Sequence, residues 1–309
     1  MVGDDRRVLR NVRNAVVVGT ALEWFDFYLY AAMAALVFGA VFFPSVDPAT
    51  GTLVSLATFG AGFLARPVGG ILFGALGDRI GRKKVLALTF ALMGTSTACI
   101  GLLPSYESIG AAAPILLVAL RLLQGLGAGA EFASAIAVSY EHAEPGRRGR
   151  QGAWPALGSN LGLLCSSLVI TLLASLSEEF LYGFGWRIPF LLSFALVGAG
   201  IFVRLRMPET PEFEDAARNQ RRARSPLREL VRGHWRPLLV IMVMYFGYNS
   251  ASYTFKTFSL AYLDTYRGVS PQVGTFGISI AGAVALLVVP LAGRLADRYG
   301  ARQVVLACG

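Results

Sequence analysis

Long apolar runs alternate with short polar, arginine-rich breaks along the whole chain. Most of the runs match or exceed the roughly 20 residues an α-helix needs to cross a bilayer. They predict spans over residues 14–43 (ended by Pro44), 53–76, 85–103 (closed by Pro104), 112–140, 152–176, 188–203, 237–263 and 271–291. A ninth begins near residue 303 and is cut off by the last residue, Gly309. The segment 204–236 is too charged to span and reads as a polar connector with a surface amphipathic helix. The expectation is therefore an all-α membrane protein: residues 1–203 as one six-helix half, 204–236 as a connector, and 237–309 as an incomplete second half.

The most distinctive break is 74–84, GALGDRIGRKK, and a looser copy returns at 293–302, GRLADRYGAR. In both, Gly is followed by three residues, Asp-Arg, one residue, Gly and a trailing Arg; Asp78 and Asp297 are 219 residues apart. A long-period repeat of this kind is a mark of transporter folds. A charged hairpin recurring by chance is the bland alternative.

Composition sharpens the picture. The chain is 55% hydrophobic with a mean hydropathy of +0.56, and only 15% of its residues are charged, against about 25% in a soluble domain. Its net charge of +9 would suit nucleic acid if it formed a patch, but 23 of the 28 Lys and Arg residues fall at the N-terminus and in alternate breaks. The opposite breaks carry Asp47, Glu107, Glu178, Glu179 and Asp264. This asymmetry predicts a cell-membrane protein with a cytoplasmic N-terminus, a lipid bilayer as its surroundings and no nucleic-acid partner. The three cysteines and two histidines have no metal-like spacing, so no disulfide frame, metal site or cofactor is expected. The basic N-terminus superficially resembles a signal peptide, but the run after it is too long and contains Glu23 and Asp26. No nucleophile motif points to an enzyme.

Six charges fall inside predicted spans: Glu23, Asp26, Arg66, Arg121, Glu131 and Lys256. Each costs at least about 2.5–3.5 kcal/mol at the bilayer centre, so such residues face a cavity or pair with one another. At 1.5 Å per residue, Glu23 and Asp26 lie roughly 14–18 Å into the first span and Arg121 roughly 14 Å into the fourth. All three sit near the midplane, with Glu23 and Asp26 three apart on one helical face. An Asp26–Arg121 ion pair is the structural expectation; Arg66 and Glu131 lie nearer the cytoplasmic end, where they would brace a gate or snorkel. Trp154, Asn160, Tyr245, Tyr248 and Asn249 are candidate cavity residues. Glycines 125, 127, 129, 158 and 162 suggest close helix packing.

These strings carry a family resemblance. Gly74, Asp78, Arg79, Gly81, Arg82 and Lys83 resemble the helix 2–3 loop signature of the major facilitator superfamily, two six-helix halves around a central cavity. The second copy resembles the helix 8–9 counterpart, with Ala301 where the family often has Arg. The string Gly19-Thr-Ala-Leu-Glu-Trp-Phe-Asp-Phe-Tyr is similar to the metabolite:proton symporter branch. So are Phe63-Leu-Ala-Arg-Pro-Val-Gly-Gly, Arg121-Leu-Leu-Gln-Gly, Trp186-Arg-Ile-Pro-Phe and Pro208-Glu-Thr-Pro. Gly129-Ala130-Glu131 and Lys256 depart from the usual pattern.

The resemblance implies a major facilitator fold, here truncated after the start of helix 9. It implies a monomer that moves a small-molecule substrate with a proton by alternating access. Asp26, helped by Glu23, would take the proton. Arg121 would hold that carboxylate charged until substrate draws it away. Lys256 and Arg121, with Tyr248, Asn249, Trp154 and Asn160, would meet an organic acid or zwitterion. A conformational gate would comprise Gly74, Asp78, Arg79, Gly81, Arg82, Arg66, Glu131, Glu141, Arg148, Asp297 and Arg298. An uncoupled facilitator, an exporter, or a membrane sensor that binds without transporting are the rival readings.

Overall fold

The computed structural model describes residues 2–80, 82–141, 143–144, 146–205 and 233–308; for Asp78, Arg79, Arg82, Lys83 and Glu141 it describes the backbone alone. Among the described residues there is no strand. The helices are α1 (Val2–Leu36), α2 (Pro48–Ile80), α3 (Arg82–Leu102), α4a (Ala112–Ala128), α4b (Glu131–Glu141), α5 (Trp154–Ala174), α6 (Arg187–Leu205), α7a (Trp235–Tyr253), α7b (Ser259–Arg267), α8 (Pro271–Tyr299) and α9 (Ala301–Cys308). Short helices at Phe38–Phe42, Tyr106–Ile109, Arg148–Gly152 and Glu178–Phe180 lie between them.

The sequence boundaries need several corrections. Helix 1 begins far earlier than residue 14, because the arginine-bearing N-terminal stretch is also helical. Helix 2 starts at Pro48, where Asp47 accepts a hydrogen bond from the Thr50 N–H at 3.1 Å and caps the first turn. Helix 8 continues to Tyr299, and Gly300 ends it with φ of +90°, a conformation glycine adopts without strain. The fourth span is two helices broken at Gly129–Ala130. The seventh is interrupted by a π turn, Thr254–Phe258, that contains Lys256; such turns concentrate at functional sites.

Among the described residues, five helices are long and apolar enough to cross a membrane: Pro48–Gly77, Lys84–Leu102, Arg148–Ala174, Trp235–Arg267 and Pro271–Tyr299. A bent pair, Glu178–Gly185 with Arg187–Gly198, makes a sixth. Helix α1 carries its polar residues inward and is buried almost continuously from Gly19 to Phe38. It packs on α5, α2 and α6, and its Phe27, Leu29, Tyr30 and Met33 are wholly enclosed. By contrast α7a exposes a run of large apolar side chains from Leu239 to Phe246. Such a continuous apolar face needs a membrane or protein partner.

Small residues set how closely the helices approach. A methyl added at Gly125 would fall on the Gly62 carbonyl of α2, and one at Gly162 would lie 2.6 Å from the Ala21 carbonyl of α1. The α2–α4a and α1–α5 pairs are thus in backbone contact.

Candidate functional site

Two opposite charges near the middle of the bundle do not meet directly. Asp26, on the enclosed face of α1, accepts a hydrogen bond from Ser193 Oγ of α6 at 2.6 Å, and Thr97 of α3 lies beside the same carboxylate. Arg121 of α4a is completely buried and donates to Gln124 Oε1, one turn along its own helix. Gln124 Nε2 then donates to Thr97 Oγ1 at 2.8 Å. The guanidinium faces the rings of Tyr30 at 4.2 Å, Phe27 at 4.6 Å and Phe59 at 4.8 Å.

The expected Asp26–Arg121 ion pair is therefore corrected: no nitrogen of Arg121 lies within 4.0 Å of an Asp26 oxygen. Instead, Gln124 and Thr97, two neutral groups, stand between the charges. Arg121 is also walled in by aromatic rings, so in this conformation no direct path joins it to a ligand.

Arg66 does pair directly. Its Nη2 donates to Glu23 Oε1 at 3.1 Å, and the Glu23 side chain is fully buried while Arg66 keeps 17% of its surface. The guanidinium lies 4.0 Å from the Phe27 ring centre, 4.9 Å from Phe63 and 5.6 Å from Trp24. Cation–π contacts of this kind hold an arginine without using up its donors. Beyond Phe63 stands Tyr253 of α7a: the rings of Phe59, Phe63 and Tyr253 form a triangle of edge contacts at 5.2–5.4 Å. Arg66, expected at a cytoplasmic gate, is thus part of an aromatic cluster between α1, α2 and α7a.

Lys256 occupies a different side of α1. Its Nζ lies 5.5 Å from the Tyr28 ring centre, beside a small cavity lined by Ser166, Ser167, Thr257 and Thr275. Hydroxyl pairs join α5 to α8 there: Ser279 donates to Ser167 at 2.8 Å and Thr171 to Thr275 at 2.7 Å. Lys256 and Arg121 do not form one site, because α1 carries Tyr28 towards the first and Phe27 and Tyr30 towards the second.

The remaining expected cavity residues separate. Trp154 packs with Val12, Val16 and Val138 in an apolar cluster near the basic end of the bundle, away from the central charges. Asn160 donates to the Ala156 carbonyl at 2.8 Å within α5, and Asn249 to the Tyr245 carbonyl at 2.8 Å within α7a. Tyr245 and Tyr248 are exposed on α7a. Glu131 is buried at the start of α4b, next to Gly19 and Thr20 of α1.

At the basic end, the second loop copy makes a definite contact. Asp297 accepts two backbone hydrogen bonds, from Gly149 at 2.6 Å and Arg150 at 2.9 Å, where the chain enters α5. Carboxylates are stabilised at such helix starts. Arg148 donates to Tyr140 Oη at 3.1 Å and stacks on its ring, and Arg298 stacks on Tyr299. Gly74 sits in α2 with open space beside it. Gly81 and the side chains of Asp78, Arg79, Arg82 and Glu141 lie outside the described residues, as does Pro208-Glu-Thr-Pro.

Gln124, Thr97, Ser193, Tyr28 and Tyr253 were not singled out from the sequence as site residues. Gln124 had a signal: it stands three residues from Arg121, one helical turn away. Ser193 and Thr97 had none, since a hydroxyl in an apolar run commonly bonds its own helix.

A many-spanned helical bundle with charges enclosed at its centre, and a repeated loop latching one end, defines a multi-pass membrane transporter. The profile of the Major Facilitator Superfamily matches residues 16–309, and the chain belongs to that family. The inner membrane metabolite transport protein YhjE of Escherichia coli is 39% identical over 302 residues, covering 95% of this chain and 69% of that protein. The shikimate transporter of Escherichia coli is 40% identical, with 93% and 66% covered, and its proline/betaine transporter is 36% identical, with 96% and 61% covered. The chain spans 61–69% of the length of these relatives. The proton:xylose symporter XylE shares the fold at a TM-score of 0.74 and 17% identity, over 96% of this chain and 70% of that one. The family and these names are those of transporters, not of enzymes.

Proposed function

We propose that the protein is a proton-coupled symporter of a small organic acid or zwitterion, working by alternating access between two halves. Residues 1–203 form the first half, 204–236 the connector, and 237–309 the beginning of the second. The N-terminus and the basic end face the cytoplasm, the apolar outer surface faces lipid, and the unit of transport is a monomer. Asp26 is the proton site. The observation that carries this is its setting: an enclosed carboxylate held by Ser193 at 2.6 Å and linked to Arg121 only through two neutral side chains, Gln124 and Thr97. A carboxylate bonded to hydroxyls can exchange a proton without breaking a salt bridge, because a hydroxyl can donate or accept. Arg121 acts through Gln124 and Thr97, so movement of α4a against α3 alters the field at Asp26. The names of the relatives support the substrate class, since shikimate, proline and betaine all carry a carboxylate.

The test is Asp26→Asn, assayed for substrate exchange and for accumulation driven by a proton gradient. Exchange persists and uphill accumulation is lost. If the variant still concentrates substrate against its gradient, the proton site is elsewhere and Glu23 and Glu131 are the next to change. Arg121→Ala impairs both activities; it leaves the buried Gln124 amide oxygen without its donor, which costs about 1–3 kcal/mol, so expression is measured alongside.

A further inference from the structure

We infer that Arg66 is the anchor for the substrate carboxylate, and that the carboxylate binds by taking the place of Glu23. The inference rests on the transport reading only in taking the ligand to be a small carboxylate.

Three cations were candidates, and geometry separates them. Arg121 has no exposed surface and is closed in by Phe27, Tyr30 and Phe59. Lys256 is a single point charge on the far side of Tyr28, next to hydroxyls that already bond one another across α5 and α8. Arg66 retains accessible surface. It meets Glu23 through one nitrogen, and its Nε has no hydrogen-bond partner among the described residues. A guanidinium offers five donors in a planar fork that matches a carboxylate bidentately. Here one edge is engaged at a single point, and the flat face is held by Phe27 at 4.0 Å. The ring fixes the orientation of the fork and leaves its donors available.

A second observation points to the same place. Tyr253 Oη is buried and has no hydrogen-bond partner among the described residues. A buried hydroxyl without a partner is costly. Its ring packs on Phe63, one turn before Arg66 on α2. A carboxylate on the Arg66 fork would lie where the Tyr253 hydroxyl can donate to it. The ligand would then be gripped by α2 of the first half and α7a of the second. A ligand held by both halves can favour one arrangement over another only through such differential contacts.

Glu23 is what makes the site switchable. It neutralises Arg66 while the site is empty, so the arginine is not left as a bare charge in the membrane. An incoming carboxylate offers two oxygens where one Glu23 oxygen meets the Arg66 Nη2; the charge at Arg66 is the same before and after, and the displaced, buried Glu23 takes up a proton so that no bare anion is left beside the site.

The experiment is equilibrium binding to purified protein in detergent, with no gradient, using shikimate, proline and glycine betaine and their carboxamides as probes. At least one carboxylate binds, and its carboxamide binds at least about 30-fold more weakly, the scale of a charge-assisted contact. Arg66→Gln brings the acid down to the amide's level, and Arg66→Lys recovers part of the difference. Glu23→Gln removes the competitor and tightens the acid about tenfold. Lys256→Gln leaves the acid-to-amide ratio unchanged. If Arg66→Gln does not fold, Tyr253→Phe serves: the acid weakens about fivefold or more with the melting temperature unchanged. The inference is overturned if no carboxylate binds, if the acid-to-amide preference survives in Arg66→Gln or is lost in Lys256→Gln, if Tyr253→Phe binds as the parent does, or if Glu23→Gln weakens binding. Loss of coupling in Asp26→Asn has no bearing on these outcomes, so this inference and the symport reading can fail separately.

Discussion

The Asp297 contact gives the basic end of the bundle a latch whose strength can be worked out. One carboxylate accepts the backbone N–H groups of Gly149 at 2.6 Å and Arg150 at 2.9 Å, joining α8 to the entry of α5. Hydrogen bonds to a charged group contribute about 1.5–3 kcal/mol each. The site is partly exposed and water replaces much of what is lost on opening, which brings the pair to about 2 kcal/mol. Asp297→Ala then shifts the balance between latched and unlatched forms about 30-fold. Asp297→Asn keeps one acceptor but turns its amide N–H₂ towards the second donor, and shifts the balance about fivefold. Spin labels at the exposed positions Arg147 and Arg302 read this as a distance distribution in lipid. The long-distance population grows from parent to Asn to Ala. An unchanged distribution in Asp297→Ala, or an Asn variant as open as Ala, refutes the reasoning; a lowered melting temperature without a distance change assigns the carboxylate to stability alone.

Three further outcomes follow from the packing and the ends. Gly125→Ala drives a methyl onto the Gly62 carbonyl, with the Gly62 carbonyl carbon at 2.8 Å; α2 and α4a must separate, and the melting temperature falls as expected for about 1–3 kcal/mol of overpacking. An impermeant thiol reagent applied to intact cells modifies a cysteine placed at Glu178 and spares ones at Gly81 and Gly300; the reverse pattern inverts the orientation. Asp47, outside the membrane, is held below the ordinary carboxylate value of 3.8 by hydrogen bonds from the Thr50 side chain and then its backbone. With the folded value depressed, capping is complete above the unfolded value and is lost as pH falls through the folded one. Thr50 amide exchange, corrected for its intrinsic pH dependence, therefore shows protection that falls away below that range and not around neutrality.

How much of this could be read from the chain depends on what each feature requires. The spans were legible because lipid demands long apolar runs. The break in the fourth span at Gly129–Ala130 and the π turn around Lys256 were not legible, since hydropathy marks where a run ends and not how its backbone is hydrogen-bonded inside. The loop repeat was visible as sequence, yet its chemistry was not: the acceptor role of Asp297 depends on backbone N–H groups 148 and 147 residues away. Depth along a helix predicted that Asp26 and Arg121 would share the midplane but said nothing of which way each pointed. That choice is made by rotation, which glycine contacts such as Gly162 against Ala21 fix only after folding.

The separation of those two charges changes what the centre of the bundle can do. A direct Asp26–Arg121 pair would tie proton release to a large reorganisation, because breaking a buried ion pair on one side costs several kcal/mol. With Gln124 and Thr97 between them, the link runs through two neutral side chains: the Gln124–Thr97 bond is worth about 0.5–1.5 kcal/mol net, and the bonds to Arg121 and to a charged Asp26 about 1.5–3 kcal/mol each. Thr97 has one proton and two claims on it, the Met93 carbonyl at 3.0 Å and the neighbouring Asp26 carboxylate. Ser193 is likewise shared between Asp26 at 2.6 Å and the Pro189 carbonyl at 3.2 Å. Both hydroxyls can therefore turn towards Asp26 when it is charged and back to their own helices when it is not. A direct pair forms between Arg66 and Glu23, beside the ring cluster of Phe59, Phe63 and Tyr253. Helix 1 thus carries two carboxylates three residues apart with different partners: Asp26 bonded to the Ser193 hydroxyl beside Thr97, and Glu23 paired with the Arg66 guanidinium.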